Sequence, residues 1–226
     1  MSSAAPRDVQ QFRSRLGDPR FPCVGAKSAM ASGRLEFLIA GNLCMAGHDR
    51  QVVHRLQAFA TTTASDALFT SQLVLYPDTP PLDELQFEQA LWWRLQALHD
   101  IDAATHRWDG SVSNDAQSPE FSLSIGGRAF YVVGLHPGSS RPARRFHCAA
   151  LVFNLHSQFE ALRDDGRYAK LCAAITDRDI AYSGSRNPMM AGHGEVSEAR
   201  QYSGRQVGAG WRCPFSASAG TAADGP

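Results

Sequence analysis

The stretch that decides the fold is YVVGLHPGSSRPARRF (residues 131–146) followed by HCAALVFNLHSQFEALR (residues 147–163). Two apolar runs flank an arginine-rich loop, and each run ends on a histidine, His136 and His156. Short apolar runs bounded by Gly, Pro and Ser read as strands. Just upstream, Phe121 to Ile125, then Gly126-Gly127, then Ala129 to Leu135 spell a hairpin with a glycine turn. Ala149 to Asn154 supplies a third strand, and His156 to Leu162 turns helical. An apolar run that delivers His and Arg into one turn is costly unless an anionic or metallic group waits there. A buried, charged cofactor or substrate is therefore the leading expectation.

Working outward, Leu35 to Ile39 and Gln72 to Tyr76 read as further strands. Val9 to Leu16, Cys23 to Ala31, His48 to Thr62 and Tyr168 to Ile175 read as helices. The clearest helix runs from Glu84 to about His99, with Asp83 as its cap. Phe87, Leu91, Leu95 and Leu98 recur there at helical spacing, and His99 lies on or beside that stripe. From Ser183 onward the sequence is rich in loop residues. The expected class is α+β: one domain with a central, largely antiparallel sheet packed by helices. The expected division is an extension over 1–18, the domain over 19–215 and a disordered tail over 216–226.

The chain has 226 residues, with 43% hydrophobic and 19% charged, as in ordinary globular proteins. Lys plus Arg and Asp plus Glu balance at 22 each, so no global charge argues for a nucleic-acid or membrane partner. The start, Met1 to Arg20, is polar and without the apolar centre of a signal peptide, so a cytoplasmic location is expected. The five cysteines include no C-x-x-C pair, which disfavours a zinc finger or a disulfide framework. No G-x-S-x-G elbow, Walker pattern or G-x-G-x-x-G motif follows a strand, which excludes the common hydrolase and nucleotide-binding readings.

Four groups of residues remain as candidate chemistry. Cys23 sits at a helix start, where backbone N–H groups and the helix dipole favour a thiolate; heme-thiolate enzymes use such a cysteine. The plainer alternative is a structural cysteine. His99 could ligate heme iron, or be a core histidine bonded to a neighbour such as Asp102. Arg141, Arg144 and Arg145 suit carboxylates or phosphates, or are solvated. The polar segment from His193 to Arg205 could close over a site, with Glu195 or Glu198 as partners for a cationic substrate.

Several longer segments share a pattern. They are Phe21-Pro22-Cys23, the Trp92-Trp93-Arg94-Leu95 helix with His99 and Asp102, and Val132 to Pro137. Ser139-Ser140-Arg141, Arg144-Arg145-Phe146, Phe153 to His156 with Gln158-Phe159-Glu160, Asn187-Pro188-Met189, His193-Gly194, Gln201 to Arg205 and Cys213-Pro214-Phe215 continue it. Together they resemble the YqcI/YcgG family over about Pro19 to Phe215, and most of all its GntA-like branch of heme-dependent N-hydroxylases. The resemblance implies a monooxygenase that holds heme b and N-hydroxylates a guanidine or amine nitrogen of arginine or a related small molecule. It implies O2 and an electron donor as co-substrates, and a homodimer is one assembly it allows. On that reading Cys23 ligates the iron, with His99 as the alternative. Arg141, Arg144 and Arg145 meet heme propionates or a substrate carboxylate, His136 or His156 donates a proton, and Glu195, Glu198 and Arg205 contact substrate. A heme-binding gas or redox sensor without turnover is the alternative.

Overall fold

The computed structural model describes residues 6–192 and 194–217. Five strands form one sheet: β1 (Leu35–Ile39), β2 (Ser71–Tyr76), β3 (Leu123–Ile125), β4 (Arg128–Leu135) and β5 (Ala149–Leu155), in the order β1-β2-β5-β4-β3. All neighbours are antiparallel except β1 and β2, which pair in parallel. A parallel pair needs a long crossover, and helix α3 (Asp49–Thr62) supplies it. The mixed α/β class, the hairpin turn at Gly126-Gly127 and the mostly antiparallel sheet agree with the sequence reading.

Side chains alternate across the pleat, and the two faces build two separate cores. Val74, Tyr76, Phe130, Val132, Leu151 and Phe153 pack with α3 and with α4 (Glu84–Asp102). Leu73, Leu75, Leu135 and Ala150 pack with Phe21 and with α1 (Arg7–Gly17). Helix α1 inserts Val9, Phe12 and Leu16 into that second core, so residues 7–17 form part of the packed unit.

Helix α4 starts with a full capping box, in which Asp83 and Gln86 satisfy each other's backbone N–H groups. It lies directly on β4 because Gly134 has no side chain; a Cβ there would meet Phe87 at 2.7 Å and Leu91 at 2.8 Å. At the far end, the Asp102 carboxylate accepts the Gly126 N–H at 2.9 Å and so pins the hairpin turn to the helix. The buried Arg94 guanidinium pairs with both carboxylate oxygens of the buried Asp49, joining α4 to α3.

On the second face lie α2 (Val24–Ala31), α5 (Ser157–Asp164) and α6 (Tyr168–Ser183), which runs a further two turns beyond the helix expected from the sequence. The segment after α6 contains one short helix, α7 (Ala199–Tyr202). No described helix is long and apolar enough to cross a membrane. Of the tail expected to be disordered, residues 218–226 lie outside the described residues, as does His193.

Candidate active site

The second sheet face is incompletely closed. Val133 pairs with Val152, and Tyr131 with Asn154, on the two adjacent strands β4 and β5, yet all four side chains are only half-buried. Interior strands covered by helices normally bury such positions. Along α6, Tyr168, Leu171, Cys172, Ile175, Arg178, Asp179 and Tyr182 are half-buried at helical spacing, and no residue of that helix is fully buried. The helix has an inward face without a core of its own, and we read the space between it and the half-buried sheet residues as a cleft.

Cys23 stands at one end of this cleft. It is the N-cap of α2, and its Sγ accepts the Ala26 N–H at 3.4 Å. Burial pushes the Cys23 thiol up, while the Ala26 and Gly25 N–H groups and the Arg144 charge pull it down. The loop carrying Cys23 is tied to α6, because the Arg178 guanidinium donates to the Pro19 carbonyl at 2.6 Å and the Phe21 carbonyl at 3.1 Å. Gly25 does leave room for close approach, and the Phe69 ring takes it: a Gly25 Cβ would lie 3.4 Å from that ring. Phe69 holds this position with φ of 53°, a left-handed conformation that costs a bulky residue roughly 1–3 kcal/mol.

The three loop arginines do different things. Arg141 is committed to the Asp179 carboxylate on α6. Arg145 turns onto the carbonyls of Ser139 and Ser140, at 2.6 and 3.0 Å. Arg144, like Arg145, has no carboxylate in hydrogen-bond contact among the described residues, but unlike the exposed Arg145 it is half-buried beside Cys23 and Tyr131. Its guanidinium donates to three carbonyls, of Gly134 at 3.1 Å, Tyr202 at 3.2 Å and Gln201 at 3.0 Å. Burial lowers its pKa, and its charge acts on both Cys23 and Tyr131. A half-buried cation whose hydrogen-bond partners are neutral favours an anion beside it.

At the other end of the cleft is a hydrogen-bonded chain. His156 Nδ1 meets Ser122 Oγ at 2.9 Å, and His156 Nε2 meets Glu160 Oε1 at 2.8 Å. Ser122 and Tyr202 both donate to Glu198, whose carboxyl burial pushes up to about 7. Tyr202 has one hydroxyl proton but two oxygen neighbours, Glu198 and the Phe130 carbonyl at 3.0 Å. A proton on Glu198 removes that competition, so the hydrogen-bond count and the raised pKa agree. Tyr131 feels the charges of both Arg144 and Glu198, and so links the two ends.

The remaining sequence candidates lie elsewhere. His99 is buried on the first sheet face, edge-on to Trp108 and Phe215, each with ring centroids at 5.3 Å. It therefore does not share a site with Cys23. His136 is also on the first face, stacked on Phe87 at 4.2 Å, and burial lowers its pKa. It lies at the opposite end of β4 from His156, whose N–H bonds the Ala129 carbonyl at 2.8 Å. Glu195 accepts the Gly192 N–H at 2.7 Å within an exposed loop, and Arg205 is paired with the buried Glu88. Of the predicted residues, the structure brings Cys23, Arg144, Glu198 and His156 to one cleft. Tyr131, Ser122, Tyr202 and Phe69 join them without having been given a role; Tyr131 opened the apolar run before His136 and Tyr202 lay in the Gln201 to Arg205 motif.

This arrangement can be set beside known proteins. The model of the YqcI/YcgG family matches residues 12–216. The chain belongs to the YqcI/YcgG family. A relative in Streptomyces lavendulae, the "Putative N(omega)-hydroxy-L-arginine synthase DcsA", is 26% identical over 201 residues, covering 81% of this chain and 71% of that protein. No solved structure gives a significant match. The family match includes every residue of the cleft named above and most of α1, in keeping with the place of that helix in the second core.

Proposed function

We propose that this member of the family N-hydroxylates the guanidine or amine nitrogen of arginine or a related small molecule, using a heme b held in the cleft. The observation that carries the reading is Arg144, a half-buried cation beside Cys23 that is held by three carbonyls and the Tyr131 hydroxyl, with no carboxylate in hydrogen-bond contact. The relative's name supports the reaction class. The reaction takes one N–H, O2, two electrons and two protons to N–OH and water, with the electrons coming from an external donor. A bound heme would supply the activation of dioxygen, which no side chain provides.

The residues present fit such a group. Cys23 offers a sulfur at a helix start, and metal binding would displace its proton. Arg144 would offset the charge of that thiolate or of a carboxylate on cofactor or substrate. Val133 and Val152 give an apolar floor. Glu198 would hold the cationic end of the substrate, losing its proton as the guanidinium arrives. The His156, Ser122 and Glu198 chain would then move a proton between cleft and surface.

The test is the absorption spectrum of protein expressed with heme precursor, before and after reduction under carbon monoxide, followed by turnover with arginine. A Soret band with a strongly red-shifted carbon monoxide complex, lost in Cys23→Ala, and a product one oxygen heavier are expected. An unchanged spectrum in Cys23→Ala would reject Cys23 as ligand and direct attention to His99. Gas binding without product would make the protein a sensor, and no Soret band in folded protein would overturn the reading.

A further inference from the structure

We propose that Asp8, His147 and Cys148 form a divalent-cation site, suited to zinc, that is separate from the cleft. Asp8 lies in the first turn of α1, and His147-Cys148 immediately precede β5. One ligand atom from each, a carboxylate oxygen, an imidazole nitrogen and a thiol sulfur, all fall within 4.8 Å of one another. Zinc bonds of 2.0–2.3 Å in a tetrahedron place donor atoms roughly 3.3–3.7 Å apart, so the trio needs only small side-chain adjustments. The Asp8 to His147 contact, now 2.7 Å, would open by about half an ångström as a metal replaces the shared proton. A mixed oxygen, nitrogen and sulfur set favours zinc over the hard cations magnesium and calcium.

A second observation points to a ligand at the same place. His147 lines an open surface depression of about 500 Å³ beside Asp8 and Cys148, together with Gln11 and Arg15 of α1, Pro137, Arg145 and Phe146. Gln11 is one helical turn from Asp8, and its Oε1 is buried without a hydrogen-bond partner. That oxygen would be the fourth ligand, or would accept a hydrogen bond from a metal-bound water. Arg15 and Arg145, which donate to the Pro142 and Ser139 carbonyls at 2.6 Å each, keep their charge; the Asp8 carboxylate and the Cys148 thiolate would supply the two negative charges that offset it. Binding would release the Cys148 thiol proton, while the neutral His147 ring would carry its proton on the nitrogen turned away from the metal, with no change of oxidation state. The bound ion would staple α1 to the sheet.

Zinc titration of the full chain against a chromophoric chelator tests this, with the Soret band followed in the same samples. One equivalent should bind, and Asp8→Asn and Cys148→Ala should each weaken binding at least about tenfold, with heme content unchanged. Cobalt in place of zinc should give a thiolate charge-transfer band that Cys148→Ala abolishes. Asp8 is half-buried in a first helical turn, so Asp8→Asn remains informative if Cys148→Ala fails to fold. No bound equivalent, or parental affinity in Asp8→Asn, would overturn the site.

Discussion

Replacing Glu198 by glutamine tests the electrostatics of the cleft. The ordinary carboxyl value of 4.5 is raised to about 7 here, chiefly by burial. The folded state therefore holds a proton that the unfolded chain releases between those two values. Stability contributed by this proton is complete below pH 4.5 and is lost as pH rises through about 7. The interval corresponds to about 3 kcal/mol, since each pH unit is worth about 1.4 kcal/mol. The side chain is 18% exposed, so solvent screening trims this only modestly. Glutamine retains an acceptor for Ser122 or Tyr202 but cannot ionise. Urea unfolding at intervals from about pH 4 to about pH 8.5 should show the wild type losing about 3 kcal/mol relative to the variant. Parallel stability profiles for the two proteins would refute the reasoning. Arginine added at neutral pH should also release a proton to solution in the wild type and none in the variant, if its guanidinium docks on Glu198.

Three further outcomes follow from packing and charge. Gly134→Ala places a methyl 2.7 Å from Phe87 and should cost about 1–3 kcal/mol by chemical denaturation. Asp49→Ala leaves Arg94 buried without its partner; a loss of about 3–5 kcal/mol is expected, read as a lower unfolding midpoint. Arg178→Ala removes the donors that hold the Pro19 and Phe21 carbonyls. It should leave the circular dichroism spectrum native while lowering heme retention, because the Cys23 loop loses its tie to α6.

The sequence alone determined the strands and most of the helices, because those signals are local, but not α7 or the last two turns of α6. Short apolar runs marked β4 and β5, Gly126-Gly127 marked the hairpin, and the spacing of Phe87, Leu91, Leu95 and Leu98 marked α4. It also brought Cys23 to a helix start and His99 onto a buried stripe, as observed. The sequence did not reveal which of these side chains meet. The parallel pairing of β1 with β2 joins residues more than thirty positions apart, as in Leu35 with Ser71, and no local pattern encodes it. Pleating sends His136 to the α4 side of the sheet and Tyr131 to the opposite side, although one apolar run carries both. Likewise, three adjacent-looking arginines divide among a carboxylate, a set of carbonyls and the cleft, according to what the folded chain sets beside each. Local propensity fixes an element and the face a residue occupies on it; only long-range packing decides what lies across from that face.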